Sequence, residues 1–309
     1  MDVVEAYRGP SFAGVRAQRN NGRMPLHVPP RLTATCRQKA EWTAWLDRLP
    51  ATVESLSKQW SLALGTVYES ASCAWVASVR CADDSPAVLK LGLSHMEGRD
   101  EANGLRFWNG DPTARLLMSD DELGAMLLER CEPGTSLRER PESEQNQVIA
   151  NLLRRLWRTP NASHPFRPLS AQLEYWIAET IDDAEEWPDA ELVRDGLRLF
   201  TELPRTAPEE VLLATDLHAG NVLRAQRQPW LVIDPKPFIG DRAYDLTQHL
   251  FNCSASLRSD PRGTIRCFAD QVGVDQERVR LWTFARAAAE PRADWRNSGL
   301  TPIARALSK

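Results

Sequence analysis

No stretch of this 309-residue chain approaches the ~20 consecutive apolar residues that a membrane span requires. The N-terminal residues also lack the apolar core of a secretory signal. Together these absences lead us to expect a cytoplasmic protein with no membrane partner. Positive charge is not in surplus either. The net charge is −4, so no overall field draws the chain onto nucleic acid or anionic lipid. A mildly acidic balance suits a cationic substrate without demanding one. Cys36, Cys73, Cys81, Cys131, Cys253 and Cys267 include no Cys-x-x-Cys pair, which argues against a zinc knuckle or a dithiol redox motif. Reduced thiols in core positions are the expectation. Internal repeats and low-complexity tracts are absent as well.

What is present divides by pattern. Residues 1–23 are polar and aperiodic, and they read as a disordered extension, with Met24 a candidate natural start. Residues 24–131 combine two leading helices with a β-rich segment. Trp42, Trp45, Leu46 and Leu49 recur at helical spacing and Pro50 ends that run; Val53, Leu56 and Trp60 mark a second helix. Short β-type runs follow at 62–65, 74–80, 87–91, 114–118 and 125–129, interrupted by a helix over 97–108 that Asn109-Gly110 closes. Beyond Cys131-Glu-Pro-Gly134 the pattern turns helical, over 142–157, 170–187, 190–203, 243–252, 262–273 and 276–290. A strand at 211–216 and a hairpin at 222–225 and 230–233 interrupt the helices. The expected fold is α+β, with a β-rich N-terminal lobe over 24–131 and a mainly helical lobe over 132–309.

Chemistry concentrates in the hairpin region. Asp216, Asn221 five residues on, and Asp234 at the end of the next apolar run form an acid-amide-acid set. Phosphoryl transfer needs one carboxylate to orient and deprotonate a hydroxyl. It also needs an amide oxygen and a second carboxylate to hold Mg²⁺ on nucleotide phosphates. An Asp and Asn in a turn are common for local hydrogen-bonding reasons, so the hairpin and the terminal Asp carry the specificity. Lys90 lies inside Val-Leu-Lys-Leu, where a strand-internal cation needs an anionic partner. Nucleotide phosphates are one candidate. Glu101 on the following helix is another, with Glu97 on the same face.

These segments resemble the aminoglycoside phosphotransferases, which have a protein-kinase-like two-lobed fold. The likeness rests on Asp216-Leu-His218-Ala-Gly-Asn221 and on Ile233-Asp234-Pro-Lys236-Pro-Phe-Ile-Gly240-Asp241-Arg-Ala-Tyr-Asp245-Leu. Within that family the chain is most similar to the streptomycin 6-kinase and hydroxyurea phosphotransferase branch, where Asp-Pro-Lys replaces Asp-Phe-Gly. The resemblance implies ATP and Mg²⁺ as cofactors, Asp216 as catalytic base, and Asn221 and Asp234 as metal ligands. Lys90 with Glu101 would hold the ATP phosphates, and Glu129 to Cys131 would form the hinge whose backbone meets adenine. The implied acceptor is a hydroxylated small molecule of the streptomycin type, and the implied assembly a monomer or weak dimer. Two positions depart from the family pattern. Ala214-Thr215 stands where His-Gly is common, and the nucleotide turn Glu69-Ser70-Ala71-Ser72-Cys73 has no glycine to let backbone N–H groups approach phosphate.

Other polar residues have ordinary readings. His218 is expected to orient neighbours or bond backbone. Lys236 is either a phosphate neutraliser or a solvated lysine, Asp241 an N-cap or loop brace, and Asp245 a brace for the catalytic loop. Two acidic clusters, Asp182, Asp183, Glu185 and Glu186, and Glu290 with Asp294 near Trp295, are solvated faces by default. Two rival functions remain. One is a catalytically weak binding protein on the same scaffold, favoured by the two departures. The other is a metal oxygenase or hydrolase using Asp216, His218 and His249, which leaves Lys90, Asn221 and Asp234 without a role.

Overall fold

Side chains alternate between the two faces of a strand, and that period organises the first unit. The computed structural model describes residues 26–308; the expected 1–23 extension and Met24 lie outside them. The described part of the first unit runs to Ser136 and includes Leu223–Leu231. Its sheet comprises β1 (Ala63–Val67), β2 (Ala74–Arg80), β3 (Pro86–Gly92), β4 (Leu116–Asp120) and β5 (Ala125–Glu129), in the order β1-β2-β3-β5-β4. All neighbouring pairs are antiparallel. One face carries Trp75, Ala77, Val79, Leu89, Leu91 and Leu127. It packs on Leu32, Leu49, Val53, Leu56 and Trp60, which come from or directly follow helices α1 (Pro30–Cys36) and α2 (Ala40–Gln59). The other face carries Val76, Val88, Met126 and Leu128 and meets Leu105 of α3 (Glu101–Trp108). Lys90 is registered between Val76 and Met126 and so belongs to this second face.

The leading region departs from expectation. Pro50 does not end a helix: α2 runs through it as one piece. The residue responsible is less Pro50 than the stripe around it. Leu49, Val53 and Leu56 are buried on one continuous face, and their burial outweighs a missing hydrogen bond at an exposed proline. The short helix α1 begins with Pro30 at its first position, where the ring is already set to a helical φ.

The second unit holds 137–222 and 232–308 of the described residues. It contains α4 (Glu142–Leu156), α5 (Leu169–Asp182) and α6 (Ala190–Glu202), then β6 (Glu210–Leu213). Next along the chain come the hairpin strands β7 (Val222–Arg224) and β8 (Trp230–Val232), most of whose residues belong to the first unit, and then β9 (Phe238–Asp241) in the second. The chain continues through α7 (Arg242–Asn252), α8 (Ser254–Ser259), α9 (Pro261–Val272), α10 (Gln276–Ala289) and α11 (Thr301–Leu307). α10 is the hub, with Val279, Trp282, Phe284, Ala285 and Ala288 all buried. α6 lies close against it at Gly196, where an added Cβ would come within 2.7 Å of the Ala289 Cβ. Four helices are started by aspartates that accept a hydrogen bond from a first-turn N–H: Asp189, Asp241, Asp260 and Asp275. The Asp241 cap agrees with its sequence reading. α5 stops at Asp182, short of the expected 187, and Ala184–Glu186 continues as a 3₁₀ turn. None of the described helices is long and apolar enough to cross a membrane.

Strand β9 has no sequence signature. It is four residues long, contains Gly240, and follows Pro235 and Pro237. It exists because β6 pairs with it antiparallel, Leu212 opposite Ile239. This pairing returns the chain from Asp234 to the start of the catalytic segment. All six cysteines are free thiols; Cys36, Cys131 and Cys253 are buried, whereas Cys73 and Cys267 are exposed rather than core.

Candidate active site

Among the expected site residues of the first unit is Lys90. Its ammonium donates to both oxygens of Glu101, at 2.7 Å each. Glu101 is the first residue of α3, where a carboxylate also complements the helix N-terminus. The side chains are only 11% and 6% exposed, so this is a buried pair. Glu97 precedes the 3₁₀ turn Gly98–Asp100 that leads into α3. At the end of β5, Glu129 accepts from Arg227 Nε at 3.0 Å, from Nη2 at 2.8 Å and from the Arg115 N–H at 3.0 Å. Burial raises the Glu129 carboxyl pKa, but Arg227 and the Arg115 N–H outweigh it and hold the group below its ordinary value. Arg227 also donates to Gly110 O and Thr113 O, at 2.6 and 3.0 Å. The 223–231 segment is therefore stitched to the 110–115 loop and β5. Cys131, two residues on, is buried, and burial pushes its thiol up to about 12, so it is inert at neutral pH. The glycine-free turn 69–73 joins β1 to β2, with Ser70 buried and Ser72 Oγ 3.7 Å from Cys73 Sγ.

In the second unit two backbone bonds and one side-chain bond gather the acid-amide-acid set. Ile233 N–H donates to Asn221 O, Lys236 N–H to Ala214 O, and Asn221 Nδ2 to Asp216 O, at 2.9, 2.9 and 3.0 Å. Asp234 is thereby bracketed between residues bonded to Asn221 and to Ala214. Thr215 and Asp234 both take left-handed φ values, +46° and +54°. That conformation is tolerable for Asp but costly for a β-branched Thr. The cost is met locally. Asp245, fully buried on α7, accepts from Ala214 N–H at 3.1 Å, Thr215 N–H at 2.7 Å and Trp157 Nε1–H at 3.0 Å. Thr215 Oγ1 donates to Lys236 O at 2.6 Å. The position where a glycine is common in the resembled family is thus one that needs positive φ, and here Asp245 and Lys236 O hold a threonine in it. Asp245 is the loop brace that the sequence pointed to. Burial lifts its carboxyl to about 6, against the pull of its three N–H donors.

The Asp216 carboxylate is held at both ends. Oδ2 accepts from Lys236 Nζ at 2.5 Å and lies 3.4 Å from Asn221 Nδ2; Oδ1 accepts from Gln248 Nε2 at 2.8 Å. Lys236 is therefore an ion-pair partner of Asp216 and not a solvated lysine. His218 Nδ1 accepts from Gly220 N–H at 3.0 Å, which puts any single ring proton on Nε2, 4.0 Å from Asp216 Oδ1. It orients the loop, as expected. Asn221 is 1% exposed, and its Oδ1 has no hydrogen-bond partner. A buried amide oxygen without a donor is costly unless a ligand supplies the missing charge. Asp234, which follows the Ile233 bonded to Asn221 O, offers a second hard oxygen donor, so the residue types present fit Mg²⁺.

The Asp216-His218-His249 metal site is not formed. His249 Nε2 is 2.7 Å from Asn146 Oδ1, and the ring packs against Phe268. Among the described residues no three His, Cys, Asp or Glu side chains gather to hold a metal. Much of each acidic cluster is likewise engaged in local contacts. Asp183 accepts from Trp295 Nε1–H, Asp294 from Asn297, and Glu290 from Arg286. Sequence reasoning passed over Gln248 and Arg286. Gln248 stands one helical turn after Asp245 on α7, a spacing that would have placed it on the same face.

Comparison with known proteins gives the family and the fold. A model of the family described as aminoglycoside/hydroxyurea antibiotic resistance kinase matches residues 59–299. The streptomycin 6-kinase of Streptomyces glaucescens is 35% identical over 257 residues, covering 80% of this chain and 83% of that protein. The hydroxyurea phosphotransferase of Kitasatospora aureofaciens is 34% identical over 248 residues, 78% of this chain and 72% of that protein. A choline/ethanolamine kinase family protein from Mesorhizobium loti superposes with a TM-score of 0.59 at 14% identity, covering 86% of this chain and 95% of its own, a likeness of fold. A buried Lys-Glu pair, a braced Asp-x₄-Asn loop and an Asp closing the next strand thus occur in a chain whose sequence matches over more than two thirds of its length: it belongs to the aminoglycoside/hydroxyurea antibiotic resistance kinases.

Proposed function

We propose that this kinase transfers the γ-phosphoryl group of ATP, with Mg²⁺, to a hydroxyl of a streptomycin-type aminoglycoside. The observation that carries the reading is the orphaned Asn221 Oδ1, buried five residues after a carboxylate fixed at both oxygens. In this reading Asp216 orients the acceptor hydroxyl and takes its proton as that oxygen bonds to the γ-phosphorus and the bond to the bridging oxygen of ADP breaks. The transition state is loose, so orientation and charge neutralisation supply most of the rate. Asn221 and Asp234 would hold Mg²⁺, which when bound neutralises phosphate charge. Lys90, held by Glu101, binds phosphate oxygens, and the backbone of Glu129 to Cys131 meets adenine. Lys236 supplies positive charge beside Asp216. The similarity to streptomycin 6-kinases supports the acceptor class, and the similarity to a hydroxyurea phosphotransferase makes hydroxyurea the second acceptor to try.

Incubation with Mg²⁺, ATP and streptomycin should yield antibiotic heavier by one phosphoryl group in the mass spectrum. A panel of aminocyclitols and hydroxyurea left unmodified would remove the acceptor assignment. Asp216→Asn should lower kcat by about 10²–10⁴-fold, the usual worth of a positioned general base. Most of the activity surviving would remove Asp216 as the base. A thermal-shift titration identifies a binding protein without turnover, because Mg·ATP would then raise the melting temperature while no product formed.

A further inference from the structure

Arg286 on α10 is only 3% exposed. Its guanidinium lies 5.5, 5.1 and 5.3 Å from the ring centres of Trp176, Tyr244 and Phe251. A cation so placed is costly unless every donor is used for something. Nε and Nη2 donate to Glu290, at 2.8 and 3.1 Å, and Nη1 to Thr247 Oγ1 at 2.7 Å. Nη2 also donates to Gln248 Oε1 at 2.9 Å. The other end of the same amide, Gln248 Nε2, donates to Asp216 Oδ1 at 2.8 Å.

An amide has two orientations, and both of its neighbours select the same one. A guanidinium only donates, so it requires the amide oxygen; a carboxylate only accepts, so it requires the amide nitrogen. Flipping the amide would set donor against donor and acceptor against acceptor. Arg286 therefore sets which atom Gln248 presents to the catalytic loop. The effect on Asp216 is geometric. Its Oδ2 is tied to Lys236, but a carboxylate tied at one oxygen still turns about its broad, two-fold terminal torsion. The bond to Oδ1 removes that freedom.

We propose that Gln248 is a positioning residue for the phosphotransfer, locking the Asp216 carboxylate plane in the orientation that receives the acceptor hydroxyl, with Arg286 as its own orienting partner. The inference rests on the reading of Asp216 as the base. Its action passes through Asp216, so it predicts a loss in kcat without a matching change in nucleotide binding.

The test is steady-state kinetics with ATP and the acceptor found by the product assay. Gln248→Met and the isosteric Gln248→Glu, which keeps an oxygen for Arg286 but turns the donor into an acceptor, should each lower kcat by about 10–100-fold, the scale of a misplaced catalytic group. The KM for ATP should stay within about twofold, since Gln248 would act only through a group engaged in the chemical step. In the Asp216→Asn background Gln248→Met should cost little more, because the group it positions is gone. Arg286→Lys, whose single ammonium cannot reach all of those partners, should lower kcat in the wild type but not further in Gln248→Met. Equal losses from Gln248→Met with and without Asp216 would overturn the inference while leaving the base assignment standing. If Asp216→Asn alone kept its kcat, the base assignment would fall and this inference with it.

Discussion

Lys90 meets both oxygens of Glu101 in the middle of a sheet face, and neither side chain has much water to fall back on. Breaking such a pair from one side leaves an uncompensated buried charge, which costs more than the pair itself contributes. Lys90→Ala should therefore lower the unfolding free energy of the protein by about 3 kcal/mol, read from urea denaturation. The Lys90→Met, Glu101→Leu double variant should recover much of that loss. A cost well under 1 kcal/mol for Lys90→Ala would mean that Glu101 rehydrates or protonates at little expense. Lys90 was legible in the sequence because a lysine inside an apolar strand run is anomalous on its face. Thr215 was only half legible. Its departure from the glycine of the resembled family is visible in the sequence, but its φ of +46° and the Asp245 carboxylate that supports it are not. For Gln248 the only local mark was its place one helical turn after Asp245; its partner Asp216 lies 32 residues upstream, and the sequence does not show that pairing.

At the scale of elements, period and capping did most of the reading, and tertiary burial supplied the exceptions. β5 (Ala125–Glu129) lies where alternation and turn residues put it, and the α3 stop at Asn109 takes the left-handed conformation that ends a helix. Pro50 is the counterexample, because a local breaker lost to a buried stripe running through it. Its ring still deletes one backbone hydrogen bond in α2. Pro50→Ala should thus raise stability by about 1–2 kcal/mol, after allowance for the freer unfolded chain, as a higher urea midpoint. A lower midpoint would show that the proline's bend is needed to seat Leu49 and Val53 on the sheet. β9 is the opposite exception, a four-residue strand with only Phe238 and Ile239 to favour it, which forms where β6 offers it a ladder.

For the whole molecule, two buried groups on α7 link stability to pH with opposite signs. Burial drives His249 down to about 3 from an ordinary value of 6.5. The unfolded chain therefore binds the extra proton first, and stability is lost as pH falls from 6.5 towards 3. Asp245 is lifted to about 6 from 3.8, so the folded state holds its proton longer and stability falls as pH rises from 3.8 to 6. Between those limits the two oppose each other; below 3.8 only His249 acts. His249→Gln, which keeps a donor for Asn146 Oδ1 but does not titrate, should shift the acid-unfolding midpoint followed by circular dichroism to lower pH. An unmoved midpoint would show that other groups govern acid unfolding.

The sequence alone was enough to indicate a β-rich unit followed by a helical one, the acid-amide-acid set, and the strand lysine with its helix glutamate. Each of these is a local pattern: a period, a spacing within one turn, or a charge in an apolar run. Only the tertiary structure decided that Asp245 holds Thr215 in a left-handed turn, that Lys236 and Gln248 clasp opposite oxygens of Asp216, and that Asn221 Oδ1 is buried without a donor. Those facts depend on β6 and β9 pairing and on α7 and α10 packing together. Contacts between residues far apart along the chain leave no periodic trace in it.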